Sequence, residues 1–348
     1  MTPVRIALMG VGLIGREHVK LVESNRGTTL AAIVDIAPEA EAYARQRGVA
    51  FYPHYERMLD EVRPDGAIVA LPNTLHLQAG LACIRRRIPV LVEKPIAATV
   101  ASALALVTAA EASGVPILVG HHRRHSPDMQ EARAAIVRGD LGEIVAVNGL
   151  CLVRKHDSYF EAEWRRRPGG GPLLINAIHD IDCLRFLCGE IESVQAIASS
   201  QARGFDVEDT AAVLLRFENG ALGTFLLSDA VPSPYFWDTA SGQALYFPGR
   251  PGDSYVIGGR RGSLAVPSLD LWEHDAGGDW RDPITPRRLP VDPSSCYVNQ
   301  LDNFVAVIRG AAEPVVTGRD ATITLAVTLA IDRAAAEGRT VRVAELFD

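Results

Sequence analysis

Six residues near the N-terminus constrain this chain more than any others. Gly10-Val11-Gly12-Leu13-Ile14-Gly15 follows the apolar run Val4–Met9 and opens an amphipathic helical pattern over Gly12–Ser24. In a strand–turn–helix setting the first glycine makes the tight turn. The second lets the backbone approach a pyrophosphate, and the third lets helix and strand pack closely. The free N–H groups of the helix's first turn then face the phosphates. A further acid, Asp35, closes the next apolar run, Leu30–Asp35, where a carboxylate can bind ribose hydroxyls. The segment therefore predicts a dinucleotide site with Gly10, Gly12, Leu13, Ile14, Gly15 and Asp35 as contacts. A carboxylate at position 35 repels a 2′-phosphate, and Ile36-Ala37-Pro38-Glu39 offers no Arg or Lys to hold one. NAD is favoured over NADP.

The pattern that follows predicts where this site sits. Apolar runs at Gly66–Leu71, Val90–Glu93 and Ile117–Gly120 read as buried strands, and Pro38–Arg47, Leu75–Arg86 and Thr99–Ser113 as helices. Strand and helix in alternation imply a parallel sheet with helices on both faces. Ligands on such sheets sit outside the carboxyl ends of the strands. Pro72, Asn73 and His76 fall at one such end and are expected to touch the cofactor, although Asn73 also suits a helix N-cap. Glu93 and Lys94 fall at another. After residue 122 a short helix near Asp128–Arg138 is followed by strand-like runs, Ile144–Val153, Val194–Ser199, Thr210–Phe217, Ala221–Ser228, Tyr255–Ile257 and Ser263–Val266, interrupted by one helix near Leu173–Cys188. Asn219-Gly220 between two of them is a hairpin signal. Val231–Gly252, rich in Pro, Gly and aromatics, reads as a long functional or interface loop, and two helices, Ser295–Arg309 and Asp320–Glu337, close the chain. The expected fold is α/β: a Rossmann doubly wound parallel sheet over residues 1–122, then an α+β domain with a large, mostly antiparallel open sheet over 123–348.

Composition narrows the class. At 48% hydrophobic and 22% charged, with a net charge of -7, the chain reads as an ordinary globular protein without the basic face of a nucleic-acid binder. No apolar run reaches the roughly 18 residues of a membrane span, and the N-terminus lacks the order of a signal peptide. The five cysteines are scattered, with no CxxC pair, which fits reduced thiols and a cytoplasmic protein.

Taken together, Gly10–Gly15, Pro72-Asn73 with His76, and Glu93-Lys94-Pro95 resemble the Gfo/Idh/MocA oxidoreductases. The likeness continues through Gly169-Gly170-Gly171, the helix with His179 and Asp182, Glu208-Asp209-Thr210, Phe217-Glu218-Asn219-Gly220, and Gly258-Gly259-Arg260-Arg261-Gly262-Ser263-Leu264. The resemblance implies hydride transfer between nicotinamide and an alcohol or carbonyl carbon of a sugar, sugar acid, cyclitol or cyclic diol. It also implies an open sheet that joins copies into a homodimer or homotetramer. Lys94 is then the catalytic or substrate-orienting lysine, a cation that stabilises a developing alkoxide. His179 is the acid/base, with a pKa range suited to neutral pH.

One departure stands out. Sugar and inositol members carry an Asp four residues before this His, where this chain has Ile175; Asn176 is the nearest polar candidate on the same helical face. Asp180 or Asp182 could instead partner the imidazole. Arg124, after the last Rossmann strand, and Trp164 with Arg165, just before the glycine run, are further substrate-binding candidates. An arginine there suits a carboxylated substrate. His121, His122 and His125 lack the continuous helix that would let them share a metal, so none is expected. Two other readings stay open: redox-neutral catalysis in which NAD oxidises a sugar carbon transiently, as in a lyase or glycosidase, and a non-enzymatic NAD-dependent sensor.

Overall fold

The computed structural model describes residues 2–244, 247–274 and 278–348. The expected loop Val231–Gly252 therefore includes two positions, 245 and 246, that lie outside the described residues. β1 (Val4–Met9) buries every side chain except Arg5, as a central strand covered on both faces must. It is followed by α1 (Leu13–Ser24), β2 (Thr28–Val34), α2 (Pro38–Gln46), β3 (Ala50–Tyr52), α3 (Tyr55–Val62), β4 (Gly66–Val69), α4 (His76–Arg85), β5 (Val90–Val92), α5 (Val100–Ser113) and β6 (Ile117–Val119). The six strands form one sheet in the order β3-β2-β1-β4-β5-β6, all pairs parallel. The order reverses between β1 and β4. The turn after β1 therefore lies against the turn after β4: a Cβ on Gly10 would sit 2.4 Å from the Ala70 carbonyl oxygen.

The chain continues with α6 (Pro127–Arg138), β7 (Ile144–Leu152), α7 (Ile178–Cys188), β8 (Ile191–Ser199), β9 (Thr210–Phe217), β10 (Leu222–Ser228), α8 (Trp237–Ala240), β11 (Tyr255–Gly259), β12 (Gly262–Val266), β13 (Asp270–His274) and β14 (Ile284–Arg288), then α9 (Cys296–Ile308), α10 (Gly318–Glu337) and β15 (Val341–Arg342). These strands form a second sheet, β14-β13-β12-β11-β7-β10-β9-β8-β15, antiparallel except where β7 pairs with β10. β9 alternates buried and outward residues along its length. Its inward face holds Val213 and Leu215. The outward face of the sheet carries exposed Ile197, Leu214, Leu222 and Val256, the last three lining a groove of about 690 Å³ together with Gln195, Arg216 and Thr224.

The sequence reading ran the second domain unbroken from 123 to 348. The structure draws the line differently: one unit comprises Met1–His125 with Cys296–Leu325, the other Ser126–Ser295 with Ala326–Asp348. The reason is the apolar face of α9. Its Leu301, Phe304 and Val305 are buried in the same core as Ile6, Leu8 and Ile68. β3, α3, β13 and β14 were not expected from the pattern. β3 is only three residues long, and every residue of β14 is exposed, so neither carries the alternation that marks a half-buried strand.

Candidate functional site

In the first unit the glycine turn is shaped by two close approaches and one open position. Gly10 adopts φ +92, in the left-handed region, and a Cβ on Gly15 would meet the Gly10 carbonyl oxygen at 2.0 Å. Those two glycines are demanded by the protein itself. Gly12 is different: a Cβ there would meet nothing within 4 Å. No packing reason excludes a side chain at 12, whereas a pyrophosphate against the backbone does. Gly12 is also the N-cap of α1 and offers no capping side chain, so the helix's first N–H groups are left for an anion. The residues present therefore fit a dinucleotide. Beside the turn lies a cavity of about 450 Å³ lined by Val11, Gly12, Leu13, Arg16, Asp35, Ala37, Glu39 and Ala40.

Asp35 fixes the rim of that cavity. Its Oδ2 accepts the Val11 N–H at 2.7 Å and its Oδ1 the Ala37 N–H at 2.8 Å. A carboxylate has lone pairs beyond these two for ribose hydroxyls. Arg16, which no motif flagged, lines the same cavity. It donates from Nε to the Val11 carbonyl at 3.0 Å and lies 4.9 Å from the Tyr43 ring centre.

The turns after β4 and β5 are tied together by His76. Its Nδ1 lies 2.9 Å from the Pro95 carbonyl oxygen and its Nε2 2.8 Å from that of Leu71. Burial lowers its pKa, opposed by both carbonyls. Both ring nitrogens of His76, expected to touch the cofactor, thus face backbone carbonyls of the two turns. Asn73 opens a short 3-10 turn without a side-chain cap bond, and its amide makes no hydrogen bond among the described residues.

Glu93 is similarly committed. It is buried, with Oε1 2.7 Å from His18 Nε2 and Oε2 accepting the Lys94 N–H at 3.1 Å. Burial alone would raise this carboxyl. The His18 hydrogen bond and charge, with Lys94 and His122, bring it down to about 2 instead. Gly120 makes room for it, since a Cβ there would lie 2.9 Å from the carboxylate. Glu93 therefore positions Lys94, which is half-buried at the carboxyl end of β5.

Arg124, expected near substrate, is buried and paired with Asp320 at the start of α10. His122 stacks on Tyr297 at 4.3 Å between ring centres, and burial and the Arg123 charge push its pKa down to about 3. Among the described residues no three His, Cys, Asp or Glu side chains gather to hold a metal ion. Nor is any helix long and apolar enough to cross a membrane. All five cysteines are buried, and burial pushes the Cys83 thiol up to about 12.

In the second unit a π-helical turn, Leu173–Ala177, leads into α7, and His179 is buried in the first turn of that helix. Of the glycine run before it, Gly169 adopts a left-handed φ of +91, and the other two are required by packing. A Cβ on Gly170 would lie 2.2 Å from the Trp164 carbonyl oxygen, and one on Gly171 2.4 Å from the Glu208 carboxylate. Glu208 accepts the Leu173 N–H at 2.7 Å; burial raises its pKa. Asp180, a candidate partner of the imidazole, accepts the Tyr255 hydroxyl at 2.6 Å. Asp182 is buried on the same helix.

Asn176 faces a lysine that sequence reasoning missed. Lys155 donates from Nζ to Asn176 Oδ1 at 2.6 Å and lies 3.4 Å from Asp229 Oδ2. Arg203 takes the other Asp229 oxygen at 2.9 Å. Arg165 clasps Tyr159: its Nη1 donates to the Tyr159 carbonyl at 2.6 Å, and its guanidinium lies 3.9 Å from the ring centre. Trp164 is 55% exposed, so it is no core residue.

Comparison with known proteins agrees with both halves of this description. Residues 4–121 match the oxidoreductase family with an NAD-binding Rossmann fold, and residues 129–265 match the GFO/IDH/MocA C-terminal domain. The chain is 30% identical to 1,5-anhydro-D-fructose reductase of Ensifer adhaerens, over 96% of this chain and 97% of that one. It is 28% identical to scyllo-inositol 2-dehydrogenase (NAD(+)) of Bacillus subtilis strain 168, over 94% and 92%. Among solved structures, the WlbA dehydrogenase of Bordetella pertussis, in complex with NADH and UDP-GlcNAcA, superposes with a TM-score of 0.81 at 25% identity, covering 98% of each chain. This chain belongs to the Gfo/Idh/MocA family of NAD-binding oxidoreductases.

Proposed function

We propose that the protein transfers a hydride between NAD and a secondary alcohol or carbonyl carbon of a sugar, sugar acid, cyclitol or cyclic diol, with Lys94 and His179 handling the oxygen and its proton. The observation that carries this reading is the open Gly12 position beside Asp35, on the sheet whose β5 is followed directly by Glu93 and Lys94. Gly10, Gly12, Leu13, Ile14, Gly15, Asp35, Pro72 and Asn73 hold the dinucleotide. When bound, its nicotinamide takes up or gives back the hydride. The Lys94 ammonium holds the substrate oxygen and stabilises alkoxide character as the C–H bond weakens. The His179 imidazole accepts the hydroxyl proton in oxidation and returns it in reduction. The His18–Glu93 pair fixes the backbone of Lys94 at the end of the strand.

The outward face of the second sheet supports a homo-oligomeric reading. Ile197, Leu214, Leu222 and Val256 form an apolar strip interleaved with Gln195, Arg216 and Thr224, a mixture suited to a second copy of the same face.

The test follows NADH absorbance over sugars, sugar acids, cyclitols and cyclic diols, with Lys94→Ala and His179→Ala beside the wild type. Each variant is expected to lose at least about a thousandfold in kcat/KM on the best substrate, while His179→Ala binds NADH normally. Full activity in both would defeat the assignment. Cofactor that co-purifies without net NADH production would favour the redox-neutral reading.

A further inference from the structure

We infer that Lys155 is a substrate-binding residue that selects substrates bearing a carboxylate, with Asn176 and Asp229 as its positioning partners. The inference rests on the oxidoreductase reading above and adds the substrate class.

The geometry begins with the backbone. Lys155 follows β7, where its N–H donates to the Asp229 carbonyl at 2.9 Å and its own carbonyl accepts Arg203 Nη2 at 2.9 Å. The side chain is held as firmly. Only 11% of it is exposed, the ammonium sits on Asn176 and Asp229, and it lies 4.7 Å from the Tyr159 ring centre. A lysine normally keeps its head in water, so an immobilised, largely desolvated ammonium needs partners for all three N–H groups. Two are accounted for by Asn176 and Asp229. The third has no hydrogen-bond acceptor among the described residues.

Charge points the same way. Asp229, whose side chain is 2% exposed, is the carboxylate that pairs with both Lys155 and Arg203, and Arg203 holds it closer, at 2.9 Å against 3.4 Å. The other buried carboxylate nearby, Asp209, accepts the Arg203 N–H and the Thr210 hydroxyl. Arg203 also reaches the exposed Asp157 at 4.0 Å, and Lys155 shares its one paired carboxylate, Asp229, with Arg203. Desolvation lowers its pKa, and Asp229 pulls it back toward the charged form. A carboxylate supplied by substrate would complete the pair and supply the missing acceptor.

Position makes this a matter of specificity. Asn176 lies one helical turn before His179, so Lys155 is fastened to the end of the helix that carries the proposed acid/base. The residue beside it, Ile175, offers no carboxylate to neutralise the ammonium. Arg165, the cation that the sequence suggested for a carboxylate, lies against Tyr159, bonded to its carbonyl through Nη1. Lys155, unlike it, is tied directly to the start of the helix that carries His179.

The experiment measures NAD reduction with matched pairs: D-glucuronate against D-glucose, D-galacturonate against D-galactose, and D-gluconate against D-glucitol. The wild type is expected to prefer carboxylated members at least tenfold in kcat/KM. Lys155→Met should cut that preference at least tenfold, chiefly through KM, and Lys155→Arg should keep it within about threefold. Asn176→Asp, which gives the ammonium an internal carboxylate, should also cut it. This variant carries the test by itself if Lys155→Met fails to fold. Reduction with the neutral members alone, or a preference unchanged in Lys155→Met and Asn176→Asp, overturns the inference and leaves the oxidoreductase standing. No reduction with any member removes both.

Discussion

The two glycine runs of this protein look alike in sequence and differ in what requires them. At Gly170 and Gly171 a Cβ would run into protein: the Trp164 carbonyl and the Glu208 carboxylate. At Gly12 it would run into nothing. A glycine that its neighbours explain reports packing. One that neither its neighbours nor a left-handed φ explains, as at Gly12 with φ -66, points to a ligand. Gly12→Val breaks this comparison if it is wrong. Fluorescence titration should show NADH affinity falling at least three-hundredfold, about 3.5 kcal/mol, while the melting temperature holds within about 2 °C. A large loss of thermal stability would mean that Gly12, too, is a packing glycine.

The carboxylates seated on glycines extend the contrast. Glu93 lies over Gly120 and Glu208 over Gly171, yet their pKa values move in opposite directions. Glu93 is buried and Glu208 half-buried, but only Glu93 has a histidine and a lysine to offset the desolvation. The folded-state pKa of Glu93 falls below its unfolded value. It contributes stability that is complete above about pH 4.5 and lost as pH falls toward 2. A drop from 4.5 to about 2 corresponds to about 3 kcal/mol, an order-of-magnitude figure. Glu93→Gln should cost about that at pH 7, and the gap from wild type should narrow in denaturant melts at pH 4. Glu208 is raised, so the folded state favours its protonated form, and its contribution fades as pH climbs through the folded pKa. Glu208→Gln, still able to accept the Leu173 N–H, should be neutral or stabilising at pH 8. Equal destabilisation by both amides would show that the two seats are equivalent.

Gly171→Ala is the next smaller effect. The added methyl displaces Glu208 from the Leu173 N–H and should cost about 2 kcal/mol in urea melts. Truncating the obstacle in Gly171→Ala/Glu208→Ala should recover part of it, since the two residues are in contact. Strict additivity would mean that the steric conflict relaxes elsewhere.

The first unit was legible because its chemistry is local. A tight turn, a helix start and an acid at the end of the next strand all lie within the first 35 residues, so spacing alone brings them together. The role of α9 was not legible: its apolar face looks like that of any helix, and only the fold sends Leu301 and Phe304 to the core of β1 and β4. The same holds for the second unit's polar cluster. Lys155, Asn176, Arg203 and Asp229 are spread over 75 residues with no motif among them, and a π-helical turn resets the helical spacing from which Asn176 was judged against His179. Arg124 and Arg165 were read from position as substrate ligands. Their partners, Asp320 and Tyr159, could be assigned only once the chain was folded.

Asn73 gives the finest test of whether an unexplained group marks a ligand. Its side chain is half-buried, caps nothing, and has no hydrogen-bond partner among the described residues. Like Gly12, it is a feature the protein's own packing does not require. Asn73→Ala should therefore leave the melting temperature within about 1 °C and weaken NADH about fivefold, close to 1 kcal/mol, the worth of one neutral hydrogen bond. The reverse result, a lower melting temperature with unchanged NADH affinity, would return Asn73 to the role of helix cap. It would also restrict the rule drawn from Gly12 to backbone positions.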